Sequence, residues 1–178
     1  MDFILSVLRL VACYLLVVKN QAAWALILIT NLFKILVLYK IGLPLLSISK
    51  LMTSCLSCVA WCFWHQEPQK WPKWANVAID GYAYVSIVTL GFMSMLMVAG
   101  SSFVDKEVLI VACNLTGYLL AAFKQRFCWA AWVIYDLVLI DVFLQLGMIL
   151  SAMVTMLYLP LALLGAYKWQ LPKPDYQT

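Results

Sequence analysis

Apolar residues along this chain fall into seven long blocks, separated by short breaks of charge, glycine and proline. A spanning helix takes about 20 mostly apolar residues. On that measure the blocks predict helices at 2–18, 22–39, 41–64, 75–98, 107–123, 127–145 and 148–169. The breaks are Lys19-Asn20-Gln21, Lys40, "HQEPQKWPKW", "GSSFVDK" and "KQRF". Charge clusters, Gly and Pro punctuate helices in this way. The sixth break is inferred from length. From Phe127 to Tyr167 there is no Lys, Arg, Glu or His, which is too much chain for one crossing, and Gln145-Leu146-Gly147 offers a turn.

Composition fixes the solvent. Of the 178 residues, 66% are hydrophobic and 11% charged, whereas soluble chains are about a quarter charged. The chain reads as an all-α integral membrane protein forming one compact domain. Its start, "FILSVLRLVACYLLVV", lacks the basic region and cleavage site of a signal peptide and reads as the first span. The net charge of +4 is scattered, so it speaks of orientation and not of nucleic acid. The breaks after spans 1, 3, 5 and 7 hold Lys19, Lys70, Lys73, Lys124, Arg126, Lys168 and Lys173, against Lys40 and Lys106 opposite. The positive-inside rule then places the N-terminus outside and the C-terminus in the cytoplasm. Trp24, Trp64, Trp71, Trp74, Trp129 and Trp169 fall at span ends, the expected position of an interfacial belt.

The chain also repeats itself. At an offset of 105 residues, Lys19 meets Lys124, Trp24-Ala25 meets Trp129-Ala130, Gly42 meets Gly147 and Trp64 meets Trp169. "KNQAAWALILITNLFKILVLYKIG" thereby matches "KQRFCWAAWVIYDLVLIDVFLQLG". Span 1 falls on 5, 2 on 6 and 3 on 7, so the copies point the same way and span 4 links them. The expected architecture is seven transmembrane helices in a 3+1+3 parallel repeat, as in SWEET transporters, with the solute held between the copies near the midplane. Residues 1–66 form the first triple-helix bundle, 67–104 a loop and linker helix, 105–170 the second bundle and 171–178 a cytoplasmic tail. A duplicated structural bundle without cargo is the alternative.

The second half then shows Trp129-x-x-Trp132-x-x-x-Asp136, followed by Gly147, Gly165 and Trp169; the first half shows Asn20, Trp24, Tyr39, Gly42 and Trp64. This pattern resembles the PnuC family of bacterial nicotinamide riboside transporters, specifically in the second half and more loosely in the first. The resemblance implies a SWEET-like fold in the bacterial cytoplasmic membrane, a homotrimer, and facilitated diffusion with trapping by a cytoplasmic kinase. It also implies relatives that carry thiamine, riboflavin or deoxynucleosides. The chain departs from the family pattern where Tyr118 replaces a glutamine, where Thr155 replaces a tyrosine with Tyr158 one turn on, and where Ala166 separates Gly165 from Tyr167.

At 100° per residue, Trp129, Trp132, Asp136, Ile140, Phe143 and Gly147 share a stripe about 80° wide. A carboxylate at mid-span must face the bundle interior. Aromatics flanking an acceptor suit a flat heterocycle on a ribose, and a cationic ring gains further from π faces and negative charge. The expected substrate-binding residues are Trp132, Asp136, Asn114, Tyr118, Asn31, Trp129, Tyr158 and Thr155. Structural readings stand beside these: a helix–helix hydrogen bond for Asp136, Asn114 and Asn31, and an interfacial anchor for Trp129. Asp141 lies about 140° from Asp136 and is expected to pair with an intramembrane cation, Arg9, Lys34 or Lys50. Asp80 and Tyr84 form a polar edge on span 4, and Gly91, Gly117 and Gly165 permit close helix contact.

No cofactor, metal or catalytic constellation is expected. His65 has no second ligand nearby, Cys55-x-x-Cys58 reads as apolar packing, and no nucleotide-binding loop or triad is present. The expected partners are a small-molecule solute and the lipid bilayer. A transporter, not an enzyme, is the reading; a non-transporting receptor or assembly factor is the competing one.

Overall fold

A computed structural model describes residues 2–40, 42–64, 80–87, 89–90 and 103–170. The regular structure among these residues is helical: α1 (Asp2–Val17), α2 (Ala22–Lys40), α3 (Pro44–Phe63), α4 (80–87), α5 (Phe103–Ala122), α6 (Cys128–Gln145), α7 (Ile149–Met156) and α8 (Tyr158–Gln170). Ala22–Lys40, Pro44–Cys62, Cys128–Gln145 and Ile149–Gln170 are each long and apolar enough to cross a membrane. Their outer faces leave large apolar side chains open, as at Leu36 (67% exposed), Ile149 (64%) and Leu163 (64%). An apolar surface of that extent belongs against lipid, where helices satisfy their own backbone. The protein is a multi-pass membrane protein.

The helices close into a ring. α1 packs on α2, α2 on α3, α3 on α5, α5 on α6, α6 on α7 and α8, and α8 returns to α1. Serines and threonines on α3 turn their hydroxyls back onto the backbone, Ser54 donating to the Lys50 carbonyl at 2.7 Å and Ser57 to Thr53 at 2.7 Å. Ser47 instead donates to the Ile35 carbonyl of α2 at 2.8 Å. The first turn of α3, opened by Pro44, is tied to α5: the Leu46 amide donates to Glu107 Oε1 at 2.9 Å. A carboxylate there satisfies an orphan amide and complements the helix dipole.

The 105-residue repeat is visible in the backbone itself. α1 ends with Lys19 in the left-handed region (φ 57°), the Lys19 amide donating to Leu16 (2.9 Å) and Asn20 to Leu15 (2.8 Å). α5 ends identically, with Lys124 at φ 57°, its amide on Ala121 (2.9 Å) and Gln125 on Leu120 (2.9 Å). The α2–α3 turn uses Gly42 (φ 82°), with Leu43 donating to Leu38; the α6–α7 turn uses Gly147 (φ 69°), with Met148 donating to Phe143. These are Schellman caps, in which a left-handed residue lets two amides cover the last carbonyls of a helix. Each cap recurs at the matching position, so the same chain reversals are written twice.

Several boundaries differ from the sequence expectation. α3 starts at Pro44, not 41, because the cap occupies Gly42 and Leu43. α5 starts at Phe103 rather than 107, so Asp105 and Lys106 belong to a helix and not to a loop. The last span is divided at Leu157, whose amide bonds to Val154 at 3.1 Å. Pro160 explains the division, since it has no N–H to offer the Met156 carbonyl. Of the expected fourth span, 75–98, residues 80–87 and 89–90 are helical; 75–79, 88 and 91–98, with Gly91, lie outside the described residues, as do His65, Trp71 and Trp74. Asp80 and Tyr84 are exposed.

Trp24, Trp64, Trp129 and Trp169 do not form a lipid-facing belt. Trp24 and Trp129 are fully buried, and Trp64 and Trp169 nearly so. They pack in repeat-related pairs, Trp24–Trp64 at 5.1 Å and Trp129–Trp169 at 5.4 Å, both edge-on. Lys19 lies 5.3 Å over Trp169 and Lys124 5.3 Å over Trp64, so each copy's turn covers the other copy's last tryptophan. Such rings are amphipathic and favour span ends from sequence alone; here the ring's size is used for packing between helices.

A β-carbon on Gly147 would touch nothing within 4 Å, so its need for glycine is purely conformational. Gly147→Ala is therefore expected to destabilise the fold by about 1–2 kcal/mol, read as a lower melting temperature in detergent. An unchanged melting temperature would remove the cap from the description of this turn.

Candidate functional site

Two adjoining cavities lie inside the ring. The first, about 50 Å³, is lined chiefly by Tyr118, Trp129, Trp132, Tyr135 and Tyr158, with Cys13, Leu16, Ile27 and Ala162 also on its wall. The second, about 30 Å³, lies beside Lys34, Lys50, Leu139, Phe143 and Thr155. Arg9, Tyr135, Asp136 and Tyr158 line both and form the partition between them. Small-molecule pockets start at roughly 300 Å³, and both cavities are well below that size.

α6 supplies most of the first cavity because its inward stripe is aromatic. Trp132 meets Trp129 at 5.1 Å and Tyr118 at 5.7 Å, both edge-on. Two glycines allow this crowding. A β-carbon on Gly117 would strike the Trp132 indole, and one on Gly165 the Trp129 indole. The Trp129 indole N–H, like that of Trp24, is buried with no hydrogen-bond partner among the described residues.

Charge sits at the partition. Asp136 is 6% exposed, and the cations acting on it are Arg9, Lys50 and Lys34. The Arg9 guanidinium lies 5.8 Å from the Tyr135 ring centre and 5.7 Å from that of Tyr158. Lys50, 1% exposed, donates to Asn114 Oδ1 at 3.2 Å and to the Tyr135 hydroxyl at 3.3 Å. α1, α3 and α6 are thereby joined through polar groups turned away from lipid, the placement that intramembrane charges require.

The sequence-expected residues divide into two sets. Trp129, Trp132, Asp136, Tyr118, Tyr158 and Thr155 come together on the chamber wall. Asn114 and Asn31 stand behind it: Asn114 holds Lys50 and donates to Ser49 Oγ at 3.5 Å, and Asn31 donates to Thr53 Oγ1 at 3.1 Å. Asp141 lies away from the chamber, as its angle from Asp136 requires. Its expected partner is corrected. Asp141 pairs with Lys106 at 2.6 Å and accepts from Gln145 at 3.1 Å at an open edge, not with Arg9, Lys34 or Lys50. The cause is the earlier start of α5, which puts Lys106 on a helix beside α6.

Arg9, Lys34, Lys50 and Tyr135 are the cationic and tyrosine wall residues that sequence reasoning left out of the site. The repeat offset carries the missing signal. Arg9 is the mate of Asn114, Lys50 of Thr155, Lys34 of Leu139 and Ile27 of Trp132, and each of these pairs contributes at least one wall residue. Some positions line the chamber in both copies with different chemistry, as Ile27 and Trp132 do, and others in one copy only, as Arg9 does.

A family model described as nicotinamide mononucleotide transporter matches residues 1–171. The chain belongs to this family. It is the PnuC family of membrane transporters, the one its tryptophan–aspartate pattern resembles. Among solved structures, "Crystal structure of the Vitamin B3 transporter PnuC" superposes with a TM-score of 0.62 at 16% identity, covering 94% of this chain and 81% of that one. At that identity the match speaks for the fold. No curated protein sequence matches significantly.

Gly165→Ala would drive a β-carbon into the Trp129 ring. The expected effect is a destabilisation of about 1–3 kcal/mol. Gly81→Ala, on α4 with open space around it, should leave the melting temperature unchanged or raise it. Equal effects of the two would contradict the tight Gly165–Trp129 packing.

Proposed function

We propose that this chain carries nicotinamide riboside, or a closely related vitamin or nucleoside such as thiamine, riboflavin or a deoxynucleoside, across the bacterial cytoplasmic membrane by facilitated diffusion. The observation that carries the reading is the buried chamber that Trp132 and Asp136 both line from a single helix, α6. A flat ring stacks among Trp129, Trp132 and Tyr118. Asp136 accepts hydrogen bonds from ribose hydroxyls, and the Trp129 N–H offers a donor to a solute acceptor. Asn114 and Asn31 act one layer out, by orienting Lys50 and the α2–α3 contact. Membership of a nicotinamide mononucleotide transporter family and the likeness to a vitamin B3 transporter support a nicotinamide-type solute.

In this reading the helices form two parallel bundles, spans 1–3 and 5–7 within residues 1–66 and 105–170, joined by a linker helix. The bundles rock about the central chamber. The matching caps and the crossed lysine–tryptophan contacts support such an arrangement. The N-terminus lies outside and the C-terminus in the cytoplasm, following Lys19, Lys124, Arg126 and Lys168. A homotrimer is the expected assembly, by likeness to the family.

Proteoliposomes carrying the purified chain are expected to accumulate labelled nicotinamide riboside or one of these relatives to equilibrium without added energy. Asp136→Asn and Trp132→Ala should each lower uptake about tenfold or more, the size of one lost charged hydrogen bond or stacking partner, while the protein elutes as a folded species. No uptake of any of these solutes would overturn the transporter reading. Unchanged uptake in both variants would overturn the chamber as the solute site.

A further inference from the structure

We propose that Trp64 and Trp169 together form the gate at one end of the solute path, and that the left-handed turns at Lys19 and Lys124 latch it shut. This rests on the transport reading above and deepens it, by assigning residues to the closing step.

The pair stands one layer beyond the first cavity. Trp64 caps the end of α3, and Trp169 lies in the last turn of α8. Their rings are 6.4 Å apart. Trp169 meets Trp129 at 5.4 Å, and Trp129 lines the cavity. Trp64 meets Trp24 at 5.1 Å, and Trp24 meets Tyr118, a second wall residue, at 6.2 Å. Rings on the cavity wall therefore rest, at this end, on the pair beyond them. Trp64 and Trp169 are mates at the 105-residue offset. One comes from each copy, so they part as the copies part.

The turns hold the pair together. Lys19 Nζ lies 5.3 Å from the Trp169 ring centre and Lys124 Nζ 5.3 Å from that of Trp64. The Trp64 indole N–H donates to the Lys19 carbonyl at 3.3 Å, and the Trp169 indole N–H to the Val17 carbonyl at 3.2 Å. Apart from the Trp64–Lys19 bond, each of these contacts runs from one copy to the other. Moving the copies apart at this end breaks them together.

The backbone shows that the lysines are present for their side chains. Four turns use a residue in the left-handed region. Two of these are Gly42 and Gly147, where an added β-carbon would touch nothing. The other two are Lys19 and Lys124, both at φ 57°. That conformation strains a residue with a β-carbon and costs glycine nothing. Lysine nevertheless stands at both positions. Strain of this kind persists where the surroundings compensate it, and it gathers at switch regions. Here the compensation is an ammonium group over a tryptophan of the opposite copy.

The latch contacts exist only while this end is closed. Losing them lowers the population that receives solute from the opposite face. Apparent affinity measured from that face falls by the same fraction. Glycine at both turns keeps the cap in every conformation and removes only the latch.

The test measures half-saturation from each face of the membrane, with spheroplasts for one and inside-out vesicles for the other. The full chain is used, with labelled nicotinamide riboside or the relative that the uptake assay identifies. Lys19→Gly combined with Lys124→Gly should raise KM from the face opposite the lysine end about threefold or more, and lower it from the lysine end. Trp64→Phe combined with Trp169→Phe should shift both values in the same senses, and serves where the glycine variant does not fold. In the orientation proposed above, the rise is seen from outside; opposite shifts of the reverse sense support the latch and invert the orientation. KM values that stay unchanged or move together in the folded variants overturn the latch and leave the transport reading intact. So does a clear rise in the melting temperature of the glycine variant, since relief of strain would then exceed anything the lysine contacts supply. No flux from either face in the unaltered chain overturns the transport reading and the gate with it.

Discussion

A charge inside a bilayer has to be turned away from hydrocarbon, and in this chain that constraint shapes the interior. On insertion scales a central Asp, Lys or Arg costs roughly 2.5–3.5 kcal/mol, and here Arg9, Lys50 and Asp136 all lie within helices buried in the ring. None of the three can point outward. Satisfying them together draws α1, α3 and α6 to one centre, with Asn114 and Tyr135 supplying neutral contacts. The chamber is where these inward-turned groups meet, and its polarity follows from the rule that placed them there.

The aromatic half has a separate cause. Large rings pack between helices only where a facing residue gives up its side chain, and Gly117 and Gly165 do so for Trp132 and Trp129. At one end the same economy repeats with Lys19 over Trp169 and Lys124 over Trp64. Those crossed contacts bind each copy of the repeat to the other, with a geometry equal in both directions. Between that end and the charged centre lies the first cavity, walled by Trp129 and Trp132 of the same connected set of tryptophans.

Much of this was legible in the sequence, for definable reasons. Apolar block length reports helices directly, and the α2 and α6 boundaries fall within one residue of expectation. The 105-residue offset anticipated paired turns at Gly42 and Gly147, since turns demand particular residues; the structure adds that both are left-handed. The angle between Asp136 and Asp141 separated the two carboxylates, but Asp141, expected beside an intramembrane cation inside the bundle, lies at an open edge. What the sequence did not convey depends on contacts between distant helices. Burial of Trp24 and Trp129 looks like interfacial placement when only position along a span is known. Lys106 becomes the partner of Asp141 only because α5 starts four residues early. Arg9 and Lys50 were expected to need a partner such as Asp141; that both instead face Asp136 is a property of the ring's closure.

The most direct measurement of solute placement is intrinsic tryptophan fluorescence on titration with nicotinamide riboside. A ring stacked on Trp132 should give saturable quenching in the native chain that is largely lost in Trp132→Phe. Quenching should persist in Trp61→Phe, whose indole is 40% exposed and lies at a separate apolar groove lined by Cys58 and Cys62. Quenching retained in Trp132→Phe and lost in Trp61→Phe would contradict a central chamber and place the solute on the outer face of the helices.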